Sequence, residues 1–525
     1  MMLFLGVVCA MLGLHAYPLT CPQLVQDDFQ ILARGTSWRR TIDNLWIPQN
    51  EHAMPLGRLL TFALMQIGGR ATLLPWTAGL VGPLAMLAAL PLVYLFVRRE
   101  RGQPIDGLVA AALFGVTSVY QQAVYWFAAS FSILTLDTLL LALLAAQQWK
   151  QTGRRRYLGL SALASFLAPG WFASGVLAGP LCCLYLLCPR STAACGLAPT
   201  AKPQAAIFTP LLGTALFLAI SLPLTAAHIR NLEHYHGRPL SETFNPLVGL
   251  GYTARSIVDN LVLGVGGVST VVTPVPLVVV VLLLLTGAAA WWWYRAPERQ
   301  LLLLGVGMIG SAYVLVYSAR SAWLYEQMTQ PNFARYHLLP QLGLALILVG
   351  GLPARQALRS PSPPYSGERG WGEGVQTIEV QPPHPRPLSP EYGREGGKVL
   401  TPRQGWTLAL LIGISFLIQA PRALLGYVVP LPGMERFARN EVELRQLIEN
   451  RATHEAQRAT LQQIAAMEDR CRAHGIDADS ARAALPRLLM PGWFSPDANG
   501  WELLRGDGPC SLSPEEVRSL LEEPK

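Results

Sequence analysis

Two short blocks carry the residue types that could do chemistry. Gln26-Asp27-Asp28-Phe29 sets two carboxylates side by side, and Asn50-Glu51-His52 follows, leading into Pro55-Leu56-Gly57-Arg58. A carboxylate just beyond a helix end can hold a divalent metal or deprotonate a hydroxyl. Adjacent residues do not share a face, so one of the two acids is expected to point inward. Arg34, Arg39, Arg40 and Arg58 lie in the same stretch and offer forked donors that match a phosphate. On spacing alone, the alternative account of the acid pair is solvated loop charge.

Further candidates lie downstream. Asp137 stands inside an apolar run, where a carboxylate costs at least ~2.5 kcal/mol and is expected to face other helices. His228, Glu233, His234 and His236 could ligate zinc, but the two-residue step from His234 to His236 does not suit one helical face. The other account is a set of interfacial polar residues. The eight cysteines form no CxxC pair. Cys182, Cys183 and Cys188 fit small core residues. Cys471 and Cys510 could pair if their region is extracytoplasmic.

The elements that must position these residues are membrane spans. Charged residues are 14% of the 525, hydrophobic residues 51%, and mean hydropathy is +0.31. A soluble globule of this length needs far more polar surface than that. Apolar runs occur at 3–18, 73–97, 107–124, 130–147, 157–187, 206–228, 274–294, 300–319, 336–353 and 405–425. The 157–187 run is broken by Pro169-Gly170 and flanked by Arg154-Arg155-Arg156 before and Arg190 after. Basic loops stay cytoplasmic, so this run is expected to be a hairpin of two short helices. The count is then about 11 spans in an all-α polytopic bundle.

Net charge is +8. The 12 basic and 16 acidic residues after Pro430 give −4, which leaves +12 for the part that spans the membrane. Basic loops facing anionic lipid account for that asymmetry, and the scatter of basic residues between spans excludes nucleic acid as a partner. Residues 1–353 form the main transmembrane domain, with extracytoplasmic loops at 20–71 and 229–273. Residues 245–268 are expected to form a helix lying in the interface. Residues 354–404 are a Pro/Gly/Ser-rich insertion in which 361–370 and 387–396 are near-copies, expected to be disordered and cytoplasmic. Residues 405–427 are the last span, and 428–525 a small helical extracytoplasmic region.

The order of these motifs resembles the GT-C superfamily of integral-membrane glycosyltransferases, nearest to the protein O-mannosyltransferases. Asp27-Asp28 matches the acidic motif of the first outer loop. Asn50-Glu51-His52 with Pro55-Leu56 and Arg58-Leu59 matches a second block. Tyr120 through Leu141 resembles the third and fourth helices, and Arg335-Tyr336-His337 the segment that opens a late helix. Ala128-Ala129-Ser130 departs from the pattern by lacking a charged residue, and the region after Tyr427 matches nothing in it.

The resemblance covers residues 1–350. It implies transfer of a sugar from a polyprenyl-phosphate donor to an extracytoplasmic acceptor, in the inner (plasma) membrane. Asp28 or Asp27 would be general base or ligand of a divalent metal, metal dependence varying between branches of the family, and Arg58 and Arg335 would hold donor phosphate. Glu51, His52 and Tyr336 would contact substrate. Two rivals stand beside it. One is a transporter or flippase with Asp137 as coupling residue. The other is a degenerate relative without activity.

Overall fold

The computed structural model describes residues 2–16, 19, 28, 31–32, 34–35, 38–49, 52–67, 74–188, 203–262, 278–284, 286–287, 299–324, 334–352 and 402–428. Among them the chain is helical throughout. Four helices are long and apolar enough to cross a membrane: Trp76–Arg101, Phe127–Thr152, Leu212–His236 and Arg299–Ser321. Four shorter apolar helices accompany them: Met2–Leu14, Pro104–Gly115, Ala173–Leu187 and Gly405–Pro421. The insertion up to 401, the region after Val428, Asp27 and Glu51 lie outside the described residues, as does most of the 274–294 run.

In chain order the helices are α1 (Met2–Leu14), α2 (Trp38–Asp43), α3 (Pro55–Ile67), α4 (Leu74–Gly79), α5 (Val81–Arg101), α6 (Pro104–Gly115), α7 (Gln121–Tyr125), α8 (Phe127–Thr152), α9 (Arg155–Leu167) and α10 (Ala178–Leu187). They continue with α11 (Pro203–His236), α12 (Leu240–Thr243), α13 (Pro246–Ser256), α14 (Arg299–Leu324), α15 (Leu338–Gly351) and α16 (Pro402–Val428).

Local chemistry sets the ends of several. α5 stops at Gly102, left-handed with φ 67°, whose N–H closes on the Arg98 carbonyl. Pro104 then opens α6 at its first turn. α8 stops the same way at Gly153, φ 66°. The apolar run 107–124 is not one helix. α6 ends at Gly115, and residues 116–120 form a turn whose polar groups are spoken for: Gln419 Oε1 accepts from Ser118 N (3.1 Å) and Ser118 Oγ (2.9 Å). An apolar run therefore overstates the helix it contains when tertiary partners satisfy the backbone of a break.

The core is the packing of α5, α6 and α8, completed by α10, α14 and α15. α14 and α15 cross where Gly305 faces Gly343. A Cβ on either would run into the other's carbonyl oxygen, so only glycine permits that approach.

Residues 155–187 reverse direction. α9 and α10 have 13 and 10 residues, joined through 3₁₀ turns at Ala168–Gly170 and Ala173–Leu177. Lys150 Nζ, near the end of α8, donates to the carbonyls of Tyr185 (3.3 Å) and Cys188 (2.7 Å). The end of α10 thus returns to the end where α9 began. Legs of ~20 and ~15 Å fall short of a ~30 Å hydrocarbon core. The tip's irregular backbone is covered by protein: Ala168, Ala173, Gly175 and Val176 are buried.

α11 runs on past the apolar stretch to His236. Within the 245–268 segment, α13 is capped by Asn245 and followed by a π-helical turn at Ile257–Val262, and residues 263–268 lie outside the described residues. Its Gly249 packs on the Tyr317 ring, while Leu247 and Leu250 are exposed.

Candidate functional site

The hairpin tip, the first half of α8, the end of α14 and the 3₁₀ turn before α15 (Ala334–His337) border a partly open cavity of about 780 Å³, counting the space open to solvent. Its body is apolar, with Leu136, Leu139, Ala178, Leu315, Val316 and Leu339 among its walls. His52, His228, Arg320, Arg335 and Tyr336 also line it, with Ser132, Thr135 and Ser174. A smaller cavity of about 410 Å³ adjoins it and shares His52, Phe172, Arg320 and Arg335. Gln49, Trp126, Ala128 and Ala129 complete its wall.

Arg335 is held between two rings. Its guanidinium lies 4.5 Å from the Trp126 ring centroid and 4.8 Å from that of Tyr336. Both distances lie within cation–π range. Arg335 Nη2 reaches the Tyr336 hydroxyl at 3.1 Å, and Arg320 Nε reaches the same hydroxyl at 3.2 Å. Two cations therefore converge on one phenol at the boundary between the cavities. Next to them, burial pushes the Tyr125 phenol up to about 12, against the opposing pull of a Gln122 hydrogen bond and the Arg335 charge.

His52 reaches the site through a tight turn. His52 and Gln49 exchange backbone hydrogen bonds of 2.8 and 2.9 Å, and the His52 ring lies 3.9 Å from that of Phe172 on the hairpin tip. This turn is braced from behind. Arg34, 1% exposed, donates to the Pro48 carbonyl at 3.3 Å. Arg58, also 1% exposed, donates from Nη2 to Gln49 Oε1 at 3.4 Å. Arg58 is not among the residues that line the two cavities; its side chain is turned toward Gln49. Arg39 is exposed and pairs loosely with Asp43 at 3.9 Å, as solvated charge does.

Asp28 is fully buried, and its Oδ1 accepts a hydrogen bond of 2.7 Å from Ala128 N. Ala128 lies in the first turn of α8, where backbone N–H groups lack intrahelical partners. Trp126, at the N-cap position, supplies no side-chain cap; Asp28 supplies it from a distant part of the chain. The carboxylate sits against the positive end of α8, behind the alanines that line the smaller cavity.

Asp137 is buried in α8, but the residues of α8 that line the large cavity are Ser132, Thr135, Leu136 and Leu139. Among the described residues its Oδ1 has no hydrogen-bond partner. The histidine-rich segment disperses. His236 Nε2 meets the Ala319 carbonyl at 2.9 Å, Glu233 accepts from Leu240 N at 2.9 Å, and His228 faces the cavity. Among the described residues no three His, Cys, Asp or Glu side chains cluster in a way that could hold a metal ion.

Arg320, Trp126 and Phe172 escaped sequence reasoning. Trp126 and Arg320 sit singly beside apolar runs and Phe172 inside one, and only tertiary structure makes them neighbours. Compared with known proteins, the chain matches no family model, no curated relative and no solved structure.

Proposed function

We propose that the protein is a polytopic glycosyltransferase of the inner membrane, related to the GT-C superfamily, that takes a sugar from a polyprenyl phosphate. The observation that carries this is the convergence of Arg320 and Arg335 on Tyr336 in the wall of a largely apolar cavity. An amphiphile with an anionic head and a hydrocarbon tail fits both parts at once. The isoprenoid chain lies along Leu136, Leu139 and Leu315, and the phosphate meets the two guanidinium groups. The sugar then extends into the smaller cavity, beside Trp126, His52 and the Ala128–Ala129 wall.

Asp28, behind that wall, is the acceptor's base, or with Asp27 a ligand of a divalent metal. His52 and Tyr336 contact substrate. The transporter alternative places its polar centre at Asp137, which like Asp28 is buried and does not line either cavity.

The test is turnover. Purified protein in nanodiscs is given polyprenyl-phosphate hexoses, and released polyprenyl phosphate is measured. Turnover is expected from the wild type and not from Asp28→Asn. Undiminished turnover in the double variant Arg320→Ala, Arg335→Ala would overturn the assignment of the anion site. Movement of intact donor across proteoliposomes, with no sugar released, would favour the transporter.

A further inference from the structure

α9 begins with Arg154, Arg155 and Arg156, all exposed, and continues with an exposed apolar face. Leu160, Leu163 and Phe166 on that face are each 53% exposed. Their spacing of three keeps them on one stripe of the helix. The opposite face, with Leu158, Ser161, Ala162 and Ser165, is buried in the bundle, and Ser161 donates to the Ala142 carbonyl of α8 at 2.7 Å. Among the described residues no ion pair involves the three arginines. Arg156 is organised by its neighbour, its guanidinium 4.9 Å from the Tyr157 ring and bonded to the Tyr157 hydroxyl at 3.1 Å.

We infer that this face of α9 is a binding site for an anionic phospholipid, with the headgroup phosphate on Arg154–Arg156 and an acyl chain along Leu160, Leu163 and Phe166. Two features select that occupant over a neutral lipid or a protein helix. One is the charge: three adjacent guanidinium groups at the membrane surface favour a phosphate diester with net negative charge. The other is length. α9 spans ~20 Å, about one leaflet with its interface. That is the extent of one acyl chain, and too short for a crossing partner helix.

A helix that ends inside the membrane has no anchor at its far end, so a lipid held at its start sets how deep the hairpin sits. That depth matters to the cavity, because the hairpin tip carries Phe172 to His52. The inference rests on the membrane placement of the helices and not on sugar transfer. Failure to find any donor leaves it standing.

The experiment is native mass spectrometry of the full chain released from nanodiscs of phosphatidylcholine containing phosphatidylglycerol. The wild type should retain phosphatidylglycerol selectively. The triple variant Arg154→Gln, Arg155→Gln, Arg156→Gln should lose roughly a hundredfold of that selectivity. Because those arginines also direct topology, the triple Arg→Lys variant is measured beside it. It keeps the charge and should keep most of the bound lipid. A third variant, Arg98→Gln, Arg99→Gln, removes basic charge near the end of α5 and should retain phosphatidylglycerol as the wild type does. Equal retention by the wild type and the Arg154–Arg156 Gln variant, or equal losses in the two Gln variants, would overturn the site.

Discussion

Asp28 and Ala128 are joined by a 2.7 Å hydrogen bond across 100 residues of chain, carboxylate oxygen to backbone N–H. The bond attaches the segment that follows α1 to the start of α8, the most buried of the four long apolar helices. It gives Asp28 a structural task whatever its chemistry, and the two roles separate by substitution.

Asp28→Asn keeps an acceptor oxygen for the Ala128 N–H and removes the charge. Its thermal unfolding should stay close to that of the wild type, while turnover falls by about 10²–10⁴ if the carboxylate is the base. Asp28→Ala loses the cap as well and should cost about 1–2 kcal/mol of stability in addition. Equal activity in the wild type and Asp28→Asn would leave Asp28 as a cap alone.

Arg335→Lys tests the stacked guanidinium. A lysine keeps the charge but cannot fill the slot between Trp126 and Tyr336 with a planar fork. KM for the donor should rise about tenfold or more with a smaller change in kcat, as for a ground-state phosphate contact. Arg320→Ala should act in the same direction. Steady-state kinetics over a range of donor concentrations distinguishes this from a loss confined to kcat.

Arg58→Ala should behave differently. Arg58 braces Gln49 from a buried position, so its removal leaves buried groups of the 48–52 turn without a partner. Stability should drop by about 1–3 kcal/mol, measured by denaturation in detergent, and His52 should lose its fixed place. A pure KM effect at unchanged stability would restore the phosphate role expected from its sequence motif.

Gln419→Leu probes how α16 is held. One amide oxygen accepts from Ser118 N and Ser118 Oγ, and Ser415 Oγ donates to the Val116 carbonyl at 2.9 Å. Leucine preserves volume and strands the Ser118 N–H, a cost of about 1–3 kcal/mol. Cross-linking between cysteines placed at Gly13 and Phe416, which face each other, should fall in the leucine variant relative to the same pair with Gln419 intact.

The helical membrane character was legible in the sequence because it depends on local quantities. Long apolar runs cannot be solvated, and Pro169-Gly170 cannot continue a helix, so the four long apolar helices and the reversal within 157–187 follow from residue type and order. Asp28 was singled out by residue type beside an apolar end, and His52, Arg335 and Tyr336 by their resemblance to family motifs. What they do to one another was decided only by tertiary structure. Arg58 and Arg335 carry the same guanidinium, yet one is turned into the loop and the other into the cavity, a difference set by how α3 and α15 pack. Arg320 joins Arg335 through Tyr336 because α14 ends where α15 begins in space. Gln419 meets Ser118 from 301 residues away. Spacing along a chain predicts which face of one helix a side chain occupies, and it carries no information on which other helix covers that face. The site is made of such coverings, so it existed in the sequence as residues and became a site only on folding.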